Sequence, residues 1–170
     1  MRNNFIKMRY ILFGFLTLSV VCLSCGKKDT TCNYNDSGIV APASEIANVQ
    51  AYLTANSITA TQHPSGFFYK INQSGTGAAI VNLCSVISVK YAGKLTNGTY
   101  FDPTTPGTTS SATFTLGQVI VGWQKGVPLI SAGGKITLYI PPSLGYGSSP
   151  AGSIPANSIL IFDIELVSVQ

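Results

Sequence analysis

Between residues 42 and 57 the apolar positions recur at helical spacing: Ile46, Val49 and Leu53 share one face, behind a Ser44 able to cap a helix start. This predicts a helix of three to four turns whose apolar stripe needs a surface to pack on. From Phe67 onward the rhythm changes to short runs of β-branched and aromatic residues, which predict strands at 67–72, 86–95, 99–101, 112–116, 135–140 and 159–169. Gly75-Thr76-Gly77, Asn97-Gly98, Gly133-Gly134 and Pro141-Pro142 punctuate them. One later stretch, 120–130, has helical spacing, and Pro128 inside it limits the helix to a short one. The fold expected is α+β: a small antiparallel sheet curled around one short helix and preceded by an N-terminal helix.

Ahead of these elements, Arg2, Lys7 and Arg9 lead into an apolar run from Tyr10 to Leu23, and small Ser24 precedes Cys25. This is the three-part form of an export signal. At about 13 residues its apolar core falls short of the ~18 to 20 that a membrane span needs. Cys25 resembles the cysteine of the bacterial lipobox, which implies acylation there after cleavage. Ser24 fits that pattern and Cys22 departs from it; cleavage before Cys22 instead would set branched Val21 beside the cut. The organisation expected is therefore a signal peptide over 1–24, a lipidated polar tether over 25–41, the helix and first strand over 42–83, and the principal domain over 84–170. Several acyl chains would supply the multiple anchors that stable attachment to a membrane requires.

A length of 170 residues with 45% apolar content suits one domain plus a leader. The formal charge of +4 suggests nucleic acid only until the leader is removed, which leaves seven Lys and Arg against six Asp and Glu. No basic stripe remains, so phosphate-tracking partners are excluded. Cys32 and Cys84 remain in the exported chain, where oxidising conditions favour pairing. A bridge would close a loop of ~50 residues and stabilise by roughly 4 kcal/mol on chain-entropy grounds. Spacing does not prove it, and two free thiols, one in the tether and one at a strand edge, stay open. The single histidine, His63, lies among turn residues and reads as a surface imidazole. The sequence has no Cys/His metal spacing, no phosphate loop and no carboxylate pair set for acid–base work. No metal or other cofactor is expected.

What stands out is aromatic residues beside glycines. Val89-Lys-Tyr-Ala-Gly-Lys-Leu95, Asn97-Gly98 and Phe101-Asp102 form a first block, and Phe114-Thr-Leu-Gly-Gln-Val-Ile-Val-Gly-Trp123 a second. Residues 141–147 (PPSLGYG) and Leu160-Ile-Phe-Asp-Ile-Glu-Leu166 complete the set. Four blocks in this order resemble the FKBP-type peptidyl-prolyl cis-trans isomerases. That resemblance implies a half-barrel sheet wrapped around the short helix, with a shallow apolar pocket between them. Trp123 would be its floor, and Tyr91, Phe101, Val119, Ile120, Ile154 and Phe162 its walls. Tyr146 would offer its hydroxyl to a substrate carbonyl, the Ile120 N–H would hold another, and Asp102, oriented by Tyr91, would lie beside the twisting amide. Proline-containing unfolded polypeptides and macrolide-type ligands are the partners implied.

The missing acid–base residues agree with such chemistry. Rotation about an X-Pro amide is slow because resonance gives the C–N bond double-bond character, with a barrier of ~18 to 20 kcal/mol. The twisted transition state carries less charge on its carbonyl oxygen, so a dry apolar pocket favours it without a nucleophile or proton donor. Three departures from the family pattern bear on substrate preference. Ala112 stands where an aromatic is usual, residues 103–111 (PTTPGTTSS) lack a basic residue, and the loop at 148–153 is short and lacks a histidine. No large insertion interrupts that loop, so the built-in chaperone domain of some relatives is not expected. Two other readings use the same residues: a non-catalytic module that binds proline-containing segments, and a lipoprotein that stores a hydrophobic small molecule. Phe67, Phe68 and Phe114 read as plain core.

Overall fold

Period-two alternation along two central strands builds both faces of the sheet at once. In the computed structural model, which describes residues 32–102 and 110–170, the chain forms α1 (Ala43–Ala55), β1 (Thr61–Gln62), β2 (Phe68–Gln73), β3 (Val86–Leu95), β4 (Ala112–Thr115), α2 (Val121–Gly126), β5 (Lys135–Ile140) and β6 (Leu160–Val169). The expected signal peptide, the Cys25 lipid site and residues 103–109 of the 103–111 stretch lie outside the described residues. The strands make one antiparallel sheet in the order β1-β2-β5-β6-β3-β4.

Ile136, Leu138 and Ile140 of β5 and Leu160, Phe162, Ile164 and Leu166 of β6 point to one face, where they are buried with Trp123 and Val127. The short helix comes unusually close to this face. Gly122 and Gly126 sit one helical turn apart, and a Cβ on either would lie 2.6 Å from Ile140 Cδ1 or 2.7 Å from Leu138 Cδ2. Their lack of side chains is what lets α2 rest on β5 and hold Trp123 4% exposed.

On the opposite face Phe68, Tyr139 and Ile161 line up across β2, β5 and β6. Val49 and Leu53 of α1 pack on that row, so the N-terminal helix buries the stripe that its spacing anticipated. Beyond the row the face turns polar. The Asn72 amide donates to Thr137 Oγ1 at 3.0 Å, Thr137 donates to Asp163 at 2.8 Å, and Lys94 pairs with Asp163 at 3.3 Å. Tyr139 sits at this boundary. Burial, then the nearby Asp163 and Tyr52, raise its phenol above the ordinary value.

Residues 32–41, within the stretch expected as a tether, have no regular structure but are held to the domain at four points. Cys32 is joined to Cys84 by a disulfide with Cα atoms 5.5 Å apart, so the two cysteines are not free thiols. The Tyr34 ring covers Gly117, where any side chain would overlap it, and Asp36 pairs with Lys125 of α2. The Ala41 N–H donates to the Ser65 carbonyl at 2.9 Å. The Lys125 ammonium, and then the Gly38 N–H, lower the Asp36 carboxyl below its usual value.

Other departures have local causes. The start of α1 is preceded by Pro42 with no side-chain cap, and Ser44 falls inside the first turn. The run expected as a strand at 99–101 makes a single bridge, Lys94 to Tyr100, because the Asn97-Gly98 turn returns the chain for only a few residues. Residues 120–130 divide into α2 and a 3-10 turn, Val127–Leu129, where Pro128 lacks the donor that a continuing helix needs. His63 is not a free surface imidazole. Its ring stacks on buried Phe67 at 4.4 Å, and its Nδ1 accepts the Ser65 N–H at 3.1 Å. Burial, reinforced by Lys125, lowers its pKa below 6.5, which keeps Nδ1 available as an acceptor near neutral pH.

Candidate active site

Gly93 makes room for the site. It lies opposite Phe162 in the β3–β6 register, and a Cβ there would stand 2.5 Å from the Phe101 ring and 2.9 Å from the Phe162 ring. The two phenyl groups meet edge to face over the bare backbone, with centroids 5.5 Å apart. Two residues earlier on the same face, Tyr91 lies 5.0 Å from Trp123 at an interplanar angle of 88°. Phe162 meets Trp123 at 5.2 Å and 87°, and Phe114 of β4 meets it at 5.9 Å and 87°. Three rings thus present edges around one indole, the arrangement that aromatic quadrupoles prefer.

A polar contact between described residues crosses this apolar set. The Tyr91 hydroxyl donates to Asp102 Oδ2 at 2.6 Å, fixing the carboxyl at the end of the ring cluster. A hydrogen bond this short is of the strong, charge-assisted kind. The indole N–H of Trp123 is buried and has no hydrogen-bond acceptor among the described residues. The Trp123 ring is therefore held by shape and ring contacts.

Val119 and Ile120, half-buried, pack against the same core, as does Ile154, which is 6% exposed. Paired N–H···O bonds between Ala151 and Ile154, of 3.0 and 2.9 Å, close the turn that carries Ile154. Tyr146 stands apart: it is 45% exposed and makes no ring contact among the described residues. Its loop is braced from the far helix, since Ser143 donates from both its N–H (2.9 Å) and its hydroxyl (2.7 Å) to Glu45 of α1.

The structure thus gathers Tyr91, Phe101, Asp102, Trp123 and Phe162 into one cluster, sets Val119, Ile120 and Ile154 against its core, and leaves Tyr146 outside the ring contacts. Phe114, read from sequence as plain core, is half-buried and packs on both Tyr91 and Trp123. Its place beside Trp123 follows from β4 pairing with β3, a long-range fact that spacing does not carry. Ala112, which departs from the aromatic usual at this place in the family pattern, is paired with Val89 at the start of β4. Among the described residues no group of three His, Cys, Asp or Glu could hold a metal ion, and no helix is long and apolar enough to cross a membrane.

An antiparallel sheet packed on a short helix, with a cluster of aromatic rings around one indole and a tyrosine-held carboxyl, defines the class of protein. Residues 78–167 match the family described as FKBP-type peptidyl-prolyl cis-trans isomerase, and the chain belongs to that family. It is 49% identical over 106 residues to the FKBP-type peptidyl-prolyl cis-trans isomerase FkpA of Buchnera aphidicola subsp. Schizaphis graminum, covering 62% of this chain and 42% of that protein. To FkpA of Aeromonas hydrophila it is 41% identical over 125 residues, covering 71% of this chain and 45% of that one. The crystal structure of FkpA from Escherichia coli superposes with a TM-score of 0.65 at 35% identity, covering 75% of this chain and 60% of that one. The chain therefore spans under half the length of these two curated relatives.

Proposed function

We propose that this chain accelerates cis-trans isomerisation of X-Pro bonds in exported polypeptides by holding the proline ring in the hollow over Trp123. The observation that carries this reading is the edge-to-face packing of Tyr91, Phe114 and Phe162 around one buried indole, with Asp102 fixed by Tyr91 at its end. Such a surface removes water from one side of the imide and offers no strong donor to the planar ground state. The less polar, twisted form therefore gains relative to it.

In this reading Trp123 is the floor, and Phe101, Phe162, Val119, Ile120 and Ile154 form the walls. The Ile120 N–H and the Tyr146 hydroxyl receive carbonyls of the peptide flanking the proline. Asp102 lies beside the rotating amide in the orientation that Tyr91 gives it. Macrolide-type ligands are expected to compete for the same hollow. Residues 1–24 act as a signal peptide and Cys25 carries the lipid. The domain, with α1 packed on its outer face, is thereby held at the bacterial cell envelope.

Phe101→Ala and Asp102→Ala test the site residue by residue. Each is expected to lower kcat/KM for a short X-Pro peptide about tenfold, or ~1.4 kcal/mol of transition-state stabilisation. Exchange NMR or a protease-coupled assay reads this. Variants that stay folded and catalyse as fast as the unmodified chain would remove these residues from the mechanism.

A further inference from the structure

Gln124 lies one residue past the indole and belongs to none of the family blocks described above as forming the pocket. Its side-chain amide donates to two main-chain carbonyls: Val119 O at 2.8 Å and Gly117 O at 3.3 Å. Both partners can only accept, so the NH2 group must face them, one hydrogen to each. Its own backbone N–H donates to Ile120 O at 3.1 Å, beside the Trp123 N–H at 2.9 Å. One residue therefore grips the peptide units on both sides of Ile120.

The Val119 carbonyl and the Ile120 N–H belong to a single planar trans peptide and point in opposite directions. Drawing the carbonyl toward Gln124 turns the N–H away from it. Backbone angles at Val119 (φ −96°, ψ 173°) and Ile120 (φ −60°, ψ 151°) keep this unit extended ahead of α2. Both neighbouring carbonyls are satisfied, and the Ile120 N–H, like those of Val121 and Gly122 in the first turn of α2, meets no backbone acceptor among the described residues. A hydrogen bond to the carbonyl of an amide also polarises the N–H of the same amide, making it a stronger donor.

We infer that Gln124 is a positioning residue that aims and strengthens the Ile120 N–H for a carbonyl of the bound proline peptide. The inference rests on the functional reading above for the identity of the ligand, and on the two side-chain bonds for the geometry. An amide is suited to the task because it supplies two donors without a charge. A carboxylate in its place would repel both carbonyls, and a thioether of the same length would leave them unmet.

The test uses Gln124→Met and Gln124→Glu. Gln124→Met is expected to raise KM for an X-Pro peptide about fivefold with little change in kcat, the loss of one ordinary hydrogen bond's worth of ground-state and transition-state binding alike. Gln124→Glu should be at least as impaired at pH 7.5. Its activity relative to the unmodified chain should recover as the pH falls toward 4.5, because the protonated carboxyl regains one donor. Asp36, His63, Lys125 and Asp102 are present in both proteins, so the ratio at each pH isolates the new group. Recovery within one folded variant also separates this effect from a folding defect.

A second readout needs no catalysis. Titration of an X-Pro peptide followed by 15N NMR should shift the Ile120 amide strongly in the unmodified chain and weakly in Gln124→Met. If the unmodified chain bound peptide at Ile120 without catalysing exchange, the isomerase reading would fail while Gln124 kept its role. An unchanged KM in Gln124→Met, a flat Gln124→Glu ratio across pH, or equal Ile120 shifts in both proteins would each overturn the inference.

Discussion

Reducing the Cys32–Cys84 disulfide should lower the stability of the folded chain by up to about 4 kcal/mol, the chain-entropy value for a closed loop of this length. The bridge spans 52 positions, so it restrains the unfolded chain across α1, β1 and β2 together. In the folded state its loss is cushioned. Tyr34 still covers Gly117, Asp36 still pairs with Lys125, and the Ala41 N–H still reaches Ser65. The effect should therefore appear as a urea midpoint lowered by about 2 M, with native-state activity little changed. The same midpoint in oxidised and reduced protein would mean that the bridge adds no restraint beyond those contacts.

Trp123→Ala is expected to cost about 3–5 kcal/mol, which is the range for deleting a large buried aromatic. The ring is 4% exposed and touches Tyr91, Phe114 and Phe162, none of which can fill the space without leaving its strand. Against a total stability of about 5–15 kcal/mol for a domain, this brings the variant near unfolding. Its melting temperature should fall by about 10 °C or more. Trp123→Phe is the informative contrast. The indole N–H meets no acceptor among the described residues, so removing it sacrifices no hydrogen bond, and a phenyl ring keeps most of the contacts. Calorimetry should show a loss of only about 1 kcal/mol for Phe, within the range for near-volume-conserving core changes. Equal losses for Ala and Phe would show that ring packing is not what holds the floor in place.

Both expectations follow from contacts that differ sharply in how far the sequence revealed them. The long strands β3, β5 and β6 were legible because alternation and flanking turns mark them at their true ends, or within one residue. The ring cluster was legible only through the resemblance of four blocks to a family, since nothing in local spacing brings residues 91, 101, 123 and 162 together. Phe114 was legible as core, but its edge contacts with Tyr91 and Trp123 were not, because they depend on strand pairing. His63 was misread because turn residues around it hide the stacking on Phe67, which lies four positions later in the same hairpin. Apart from the Cys32–Cys84 pairing, the attachment of segment 32–41 was not legible, for another reason. Its composition is polar and its contacts, with Gly117, Lys125, Ser65 and Cys84, all reach far along the chain.

Glycine carries much of what was hardest to read. Gly93, Gly122 and Gly126 look like ordinary strand and helix weaknesses in sequence, yet each marks a place where another group occupies the space of a side chain. At Gly93 that group is Phe101, whose ring lies over the strand where a side chain would otherwise stand. The site is thus built as much by absent side chains as by the aromatic ones.

The most direct measurement is the rate of cis-trans exchange of a short X-Pro peptide in the presence of the purified chain from residue 26 onward. Uncatalysed exchange takes tens of seconds, and moving it to milliseconds corresponds to about four decades, or ~5.5 kcal/mol of differential stabilisation. The account predicts exchange in the protein's presence that is faster than in buffer by orders of magnitude and is suppressed by Phe101→Ala. Exchange no faster than in buffer, at protein concentrations where the peptide is seen to bind, would contradict it.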